Sequence, residues 1–277
     1  MAVLNALLGG GVELLLAPVR PFPPIVGVAL MALLTVVPML VVFKAVSDQA
    51  QLAAVKRAIV GGLFEIRLFN DDLAAILRAQ GEILRHNLKY LRLSFVPMLW
   101  LIVPLGLVVA QMEYHFGYAG PAAGQPILVK VTMQRRFDLA KPAPEVFRLE
   151  APKYVRILTP AVWFPAAGEV LWQVSADVEG EYELRLRVGD ESISKTLQVA
   201  GGVARRSPIR LPGSIVNQVA YPAEAPLPDA SAVASISVDY EREHIFLFGW
   251  DIPWIVVYFA LTIFFAVPVK KRLGVTL

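Results

Sequence analysis

Hydrophobic residues in this 277-residue chain gather into three long uncharged runs, with differently patterned stretches between them. The runs are Ile25–Phe43, Leu93–Met112 and Ile252–Val269. Lys44 closes the first, Arg92 and Glu113 bracket the second, and Asp251 with Lys270, Lys271 and Arg272 bracket the third. A helix needs about 20 apolar residues to cross bilayer hydrocarbon. The runs therefore predict three transmembrane helices, over 23–46, 93–113 and 250–269. Between the first two, residues 47–92 change to steps of three and four: Leu52, Val55, Ile59, Leu63 and Ile66, then Leu73, Ile76/Leu77, Leu84, Leu88 and Leu91. That is helical spacing. Asn70-Asp71-Asp72 separates the two series as a turn and N-cap signal. The pattern predicts an antiparallel hairpin of helices, 47–69 and 71–92, the second able to run on into the next span. Gly61-Gly62 weakens the first helix by about 1 kcal/mol per glycine, and marks a hinge or a close helix crossing.

Residues 125–243 alternate instead. Ile127–Met133, Val146–Glu150, Tyr154–Leu158, Val170–Ala176, Tyr182–Val188, Ile193–Val199 and Ile236–Tyr240 read as strands, with a hairpin turn at Gly189-Asp190-Glu191. Prolines at 142, 144, 152, 160, 165, 208, 212, 222, 226 and 228 break the rest, and the Gly-, Ala- and Pro-rich stretch 201–234 predicts a long loop or irregular edge. Seven short strands with no helical period predict a β-sandwich. At the other end, residues 1–22 place Leu4, Leu8, Val12, Leu15 and Leu16 at helical spacing, interrupted by Gly9–Gly11 and Glu13 and stopped by Pro18 and by Pro21, Pro23 and Pro24. An interfacial amphipathic helix is predicted there, with a loose fourth span as the alternative. The basic n-region of a secretory signal is lacking.

Charge orients this layout. Lys44, Lys56, Arg57, Arg67, Arg78, Arg85, Lys89 and Arg92 lie between the first two spans, three basic residues follow the third, and only Arg20 precedes the first. By the positive-inside rule the hairpin and the tail 270–277 are cytoplasmic. The N-terminus and the β-region then lie outside, in a prokaryotic inner (plasma) membrane. Tyr114, Phe116 and Tyr118 at the outer end of the second span, and Trp250 and Trp254 at the start of the third, read as interfacial anchors. At 56% hydrophobic and 18% charged the chain is too apolar for intrinsic disorder or a wholly soluble globule. A net charge of +3 is too small to predict DNA as a partner.

Little points to catalysis. The chain has no cysteine, and His86, His115 and His244 lack metal-ligand spacing. There is no phosphate loop, no nucleophile elbow and no charge in the middle of a span. Neither an enzyme nor a cofactor is predicted. The basic face of Arg78, Arg85 and Lys89 is either a solvated surface or a dock for nascent chains, ribosomal RNA or anionic lipid. Thr35, Pro38, Ser94, Pro97, Pro104, Gly106, Gln111 and Thr262 interrupt the spans. They are kinks in a packed bundle or the lining of a groove, wet on its cytoplasmic side and polarised by Lys44, Arg92 and Ser94.

Two resemblances follow. Trp172-x-Val174-x-Ala176 and Gly180-x-Tyr182-x-Leu184-x-Leu186 resemble the tyrosine-corner region of immunoglobulin-like domains, with Trp172 and Tyr182 as core. The whole order resembles the three-span branch of the YidC/Oxa membrane-insertase superfamily: an outer amphipathic helix, an inward span, a basic helical hairpin, a returning span with inner prolines and a last inward span. The matching stretches are Leu4–Met112 and Trp250–Arg272, with Pro38-Met39, the hairpin Val55–Leu91 and Val96-Pro97-Met98-Leu99 as local echoes. The resemblance implies a three-helix core with a hydrophilic groove open to cytoplasm and membrane, and nascent membrane proteins or the ribosome as partners. The chain departs from the family in having only Lys44 where a groove arginine belongs. It also lacks a methionine-rich cytoplasmic surface and inserts a large outer β-domain. The rival reading is a scaffold or accessory subunit, anchored by three spans, that binds other membrane subunits or proteins through its outer β-sandwich.

Overall fold

A computed structural model describes residues 2–69, 71–134, 146–199 and 202–276. The turn residue Asn70 and the prolines at 142 and 144 lie outside the described residues. In chain order the helices are α1 Ala2–Leu16, α2 Pro24–Val46, α3 Gln49–Leu68, α4 Leu73–Phe116, α5 Ile215–Ala220 and α6 Trp254–Leu273. The strands are β1 Ile127–Met133, β2 Phe147–Glu150, β3 Val155–Ile157, β4 Val162–Phe164, β5 Glu169–Ala176, β6 Gly180–Val188, β7 Glu191–Val199, β8 Ile209–Arg210, β9 Val233–Val238, β10 His244–Leu247 and β11 Trp250–Pro253. The chain divides into two units: Met1–Val28 with Leu107–Val257, and Ala29–Gly106 with Tyr258–Leu277.

The second unit is helical. Asp48 caps α3 by accepting from the Gln51 amide at 2.9 Å, and Asp72 caps α4 by accepting from Ala74 and Ala75 at 2.9 and 3.1 Å. These bonds satisfy amides that a helix start otherwise leaves without partners. α2, α4 and α6 are each long and apolar enough to cross a membrane. The second hairpin helix and the second apolar run are one 44-residue element. Val36, Leu40, Phe43, Leu52 and Val275 form a buried cluster, joined by Tyr90 and Leu93 of α4 and Phe265 and Val269 of α6. Most of the apolar surface is nevertheless uncovered: only 6% of the most apolar window of α4 is buried, against 39% in α2 and 17% in α6.

α3 and α4 pack closely at one point. A Cβ on Gly62 would come within 2.7 Å of Ile83 Cγ1, whereas one on Gly61 would meet nothing within 4 Å. Gly61-Gly62 is thus a close crossing, made by one glycine of the two. α4 turns Ile76, Ala79, Ile83, His86, Tyr90 and Leu93 inward as a buried or half-buried stripe. Leu73, Leu77, Leu84, Leu88 and Leu91, expected to close the hairpin, are exposed, as is Leu63. Two stripes with the same spacing share α4, and the close approach at Gly62 fits the one containing Ala79 and Ile83.

The first unit carries the strands. An antiparallel six-stranded sheet runs β3-β5-β1-β9-β8, with β4 also paired to β5, and a three-stranded sheet runs β2-β6-β7. Val129, Val131, Trp172, Val174 and Ile236 of the first sheet and Phe147, Leu184, Leu186, Ile193 and Leu197 of the second belong to one buried cluster. Alternation along β1, β6 and β7 sends every second side chain into it. The hairpin turn is two residues, Gly189 and Asp190, with Val188 paired to Glu191 and Gly189 at φ +59°. Tyr182 donates its hydroxyl to the Val178 carbonyl at 2.7 Å. β4, β8, α5 and the β10–β11 hairpin go beyond the predicted elements, and α6 starts at Trp254, not 250. Phe248 and Gly249, at φ +52° and +85°, reverse the chain just before it.

The adjacent glycines of α3 should respond in opposite directions. Gly62→Ala should destabilise the helical unit by about 1–3 kcal/mol through overpacking against Ile83. Gly61→Ala should stabilise it by up to about 1 kcal/mol. Thermal unfolding of the two purified variants, followed by helical circular dichroism, reads both.

Candidate functional site

Along α4, Arg78, Arg85 and Arg92 recur every seven residues, and Lys89 joins them. At 100° per residue the four lie within an arc of about 60°. All are exposed, and none has an ion pair or side-chain hydrogen bond among the described residues. The helix therefore presents an exposed cationic stripe, with Glu82 beside it, that ends where its apolar run begins.

The three residues expected to polarise a groove are not brought together. Lys44 Nζ donates to the Leu273 carbonyl at 2.6 Å, meeting the negative end of α6. Arg92 belongs to the exposed stripe, and Ser94, two residues on, points about 160° away from it and is half-buried. Residues two apart on a helix do not share a face. A polar contact elsewhere in the apolar helices joins Thr35 and Thr262, which the sequence singled out, with Tyr258, which it did not. Tyr258, wholly buried, sets its hydroxyl beside those of Thr35 and Thr262. Thr35 in turn donates to Met31 O at 2.6 Å and Thr262 to Tyr258 O at 2.7 Å. Tyr258 was hard to single out because an aromatic in an apolar run reads as packing.

The expected interfacial aromatics divide differently. Tyr114 is buried and donates to Ala220 O at 2.7 Å. Trp254 is buried, its Nε1 donating to Glu113 Oε2 at 2.9 Å. Tyr118 is half-buried, with the Arg242 guanidinium 4.6 Å above its ring, and Arg242 itself pairs with Glu113. These three are internal to the first unit. Trp250 stands on β11 and is 74% exposed, beside Phe246 at 71% and Phe248 at 96%. The exposed aromatic group is a hairpin tip, and sequence reasoning missed two of its three members.

The same unit holds a buried charge pair. Lys195 Nζ donates to Glu224 Oε2 and to Ser207 O, both at 2.6 Å, while Thr196 N and Ser207 Oγ each donate to Glu224 at 2.7 Å. Burial alone would raise the Glu224 pKa. The Lys195 ammonium and its hydrogen bond, then Ser207 and Thr196, outweigh that and hold the carboxyl below its ordinary range. A cavity of about 340 Å³ beside it is lined by Asn5, Arg205, Arg210, Gln218, Tyr221 and Glu224. Its arginines are bound to backbone: Arg205 donates to Pro222 O at 2.8 Å, and Arg210 to Ala225 O at 2.7 Å and to Ser194 O. This network fixes residues within 202–234 to β7. Comparison of the chain with protein-family models, with curated proteins and with solved structures finds no match.

Glu224→Gln should leave the Lys195 charge buried without its counter-charge and destabilise the β-unit by about 3–5 kcal/mol. Because the folded pKa of Glu224 lies below the unfolded value of about 4.3, its contribution is fully present above that value. It is lost as pH falls through the folded pKa. Equilibrium unfolding between neutral and acid pH should show this loss in the natural chain and its absence in Glu224→Gln.

Proposed function

We propose that this chain is an integral membrane protein of the YidC/Oxa insertase kind, a biogenesis factor without chemistry of its own that helps apolar segments enter the bilayer. α2, α4 and α6 span, the α3–α4 hairpin and the tail after α6 lie in the cytoplasm, and the β-rich unit and α1 lie outside. The observation that carries the reading is the unpaired stripe Arg78, Arg85, Lys89 and Arg92 on the same helix that continues into the Leu93–Met112 run. A substrate with an acidic or polar flank meets cations first and then a helix surface that the rest of the chain leaves bare. The route runs along α4 and past the Tyr258–Thr35–Thr262 polar contact, with Lys44 a weaker participant because α6 already holds its ammonium.

The outer unit is an immunoglobulin-like sandwich in this reading. Two sheets sharing one core, a buried Trp172 and a Tyr182 hydroxyl bonded to backbone four residues upstream support it. Trp250 serves as an anchor at the outer headgroup level, where an amphipathic ring is favoured, and Phe246 and Phe248 bury apolar rings beside it. The second reading, an accessory subunit of a larger membrane complex, is favoured by the bare apolar surface of α4, which suits a partner subunit as well as a passing substrate.

Photo-crosslinkers at positions 85 and 89 of the full chain in native membranes should capture ribosome-bound nascent membrane segments. Arg78→Glu, Arg85→Glu and Lys89→Glu together should cut that capture several-fold. Because all three side chains are exposed, the melting transition should move little. Absence of nascent-chain products from both positions, in membranes where protease from the cytoplasmic side cuts the hairpin, overturns the insertase reading and leaves the subunit one.

A further inference from the structure

The exposed stripe of α4 has a regularity that neither hairpin packing nor lipid contact requires. From Leu77 to Ile102 it repeats in sevens: Leu77, Leu84, Leu91 and Met98 occupy one core position, and Gly81, Leu88, Phe95 and Ile102 the other. Steps of four and three sustained over this length form the seam that two helices interlock across, knobs into holes. All the side chains larger than glycine in it are 54–62% exposed, and they lie on a different face from the Ile76–Ala79–Ile83–Tyr90 stripe packed in the hairpin. Arg78, Arg85 and Arg92 each follow a leucine of the seam and form its one flank. Gln80, Asn87 and Ser94 form the other.

We propose that this seam docks a single helix of another chain, apolar at heptad spacing and acidic along the edge that faces Arg78, Arg85 and Arg92. The flanks decide among occupants. A second copy running antiparallel would set arginine against arginine, and one running parallel would set arginine against Gln, Asn or Ser, leaving every cation without a counter-charge. An anionic bilayer surface would require the helix to lie flat. α4 is continuous from Leu73 to Phe116, so the length that crosses and the length before it share one course. An acid-flanked helix satisfies both the leucines and the arginines. Because the seam passes through Phe95, Met98 and Ile102 into the apolar run, that partner helix crosses the bilayer beside α4 and emerges with it.

The inference rests on the membrane placement proposed above, and the test separates the two. The chain has no cysteine, so Leu84→Cys gives a unique thiol. In full-length protein reconstituted in nanodiscs, a water-soluble maleimide should label that thiol; failure to label overturns both the placement and the docking. The probe is a synthetic three-heptad helix with leucine at both core positions and glutamate on both flanks, which repels its own copies. It should bind the natural chain, and roughly ten-fold or more weakly, a loss of about 1.4 kcal/mol, when Leu84→Asn and Leu91→Asn are combined. Arg78→Glu, Arg85→Glu and Arg92→Glu together should transfer preference to the same helix flanked by lysine. Equal binding of the two probes by the natural chain, or no binding where the Leu84→Cys variant is labelled, overturns the docking. Efficient disulfide formation between two chains of the Leu84→Cys variant overturns it in favour of a second copy.

Discussion

The length of α4 constrains everything around it. Forty-four helical residues extend for about 66 Å, about twice the ~30 Å of bilayer hydrocarbon. Wherever a membrane is drawn, about half of this helix stands in water, and its surface there must be suited to water or to a partner. One face is accounted for by α3, through Ala79, Ile83 and the gap at Gly62. Another carries the cations. The third carries leucines that none of the described residues covers, and an exposed leucine row is costly in water at about 25 cal/mol per Å² of apolar surface.

Polar groups in the apolar helices follow a different rule. In hydrocarbon a donor has no water to turn to, so each must find a partner within the protein. The hydroxyls of Thr35 and Thr262 bond to carbonyls one turn back, beside the Tyr258 hydroxyl, and Lys44 is drawn to the Leu273 carbonyl at the end of α6. These contacts set the polar side chains of the apolar helices against acceptors within the protein. The same principle operates in the β-unit, where Lys195 and Glu224 are acceptable inside only because each is multiply hydrogen-bonded.

How much of this was legible in the sequence depends on the range of the signal. Runs and periods are local, so the three apolar helices, the cap at Asp72 and the strand Ile127–Met133 follow from neighbouring residues alone. The β10–β11 hairpin was hidden because its turn is Phe248-Gly249, and a phenylalanine at positive φ is not a turn signal. The pairing of Lys195 with Glu224 joins residues 29 apart in sequence and leaves no periodic trace. The leucines of α4 were visible but ambiguous. Two stripes at identical spacing cannot be ranked until the partner helix is known, and Gly62 sets which one α3 accepts. The positions of Arg92 and Ser94 have a simpler explanation: they are neighbours in sequence and opposed on the helix.

The glycine run near the start of the chain completes this logic. Three glycines argue against a helix, yet α1 passes through them unbroken. Its inner face is Asn5, Gly9, Val12 and Leu16: Asn5 donates to Gln218 O at 2.6 Å, and a Cβ on Gly9 would stand 3.0 Å from the Arg205 guanidinium. Gly9 is thus small because an arginine lies against the helix, while Gly10 and Gly11 face open space. The other face exposes Leu7, Leu14 and Leu15. A buried asparagine and exposed leucines invert the arrangement of an amphipathic helix resting on a soluble core. The Phe248 tip, with a backbone conformation that costs on the order of 1–3 kcal/mol and a ring left almost wholly bare, is inverted in the same way. Water does not favour either arrangement. Both fit an interface where the outward side is lipid, which is where the proposed membrane placement puts them.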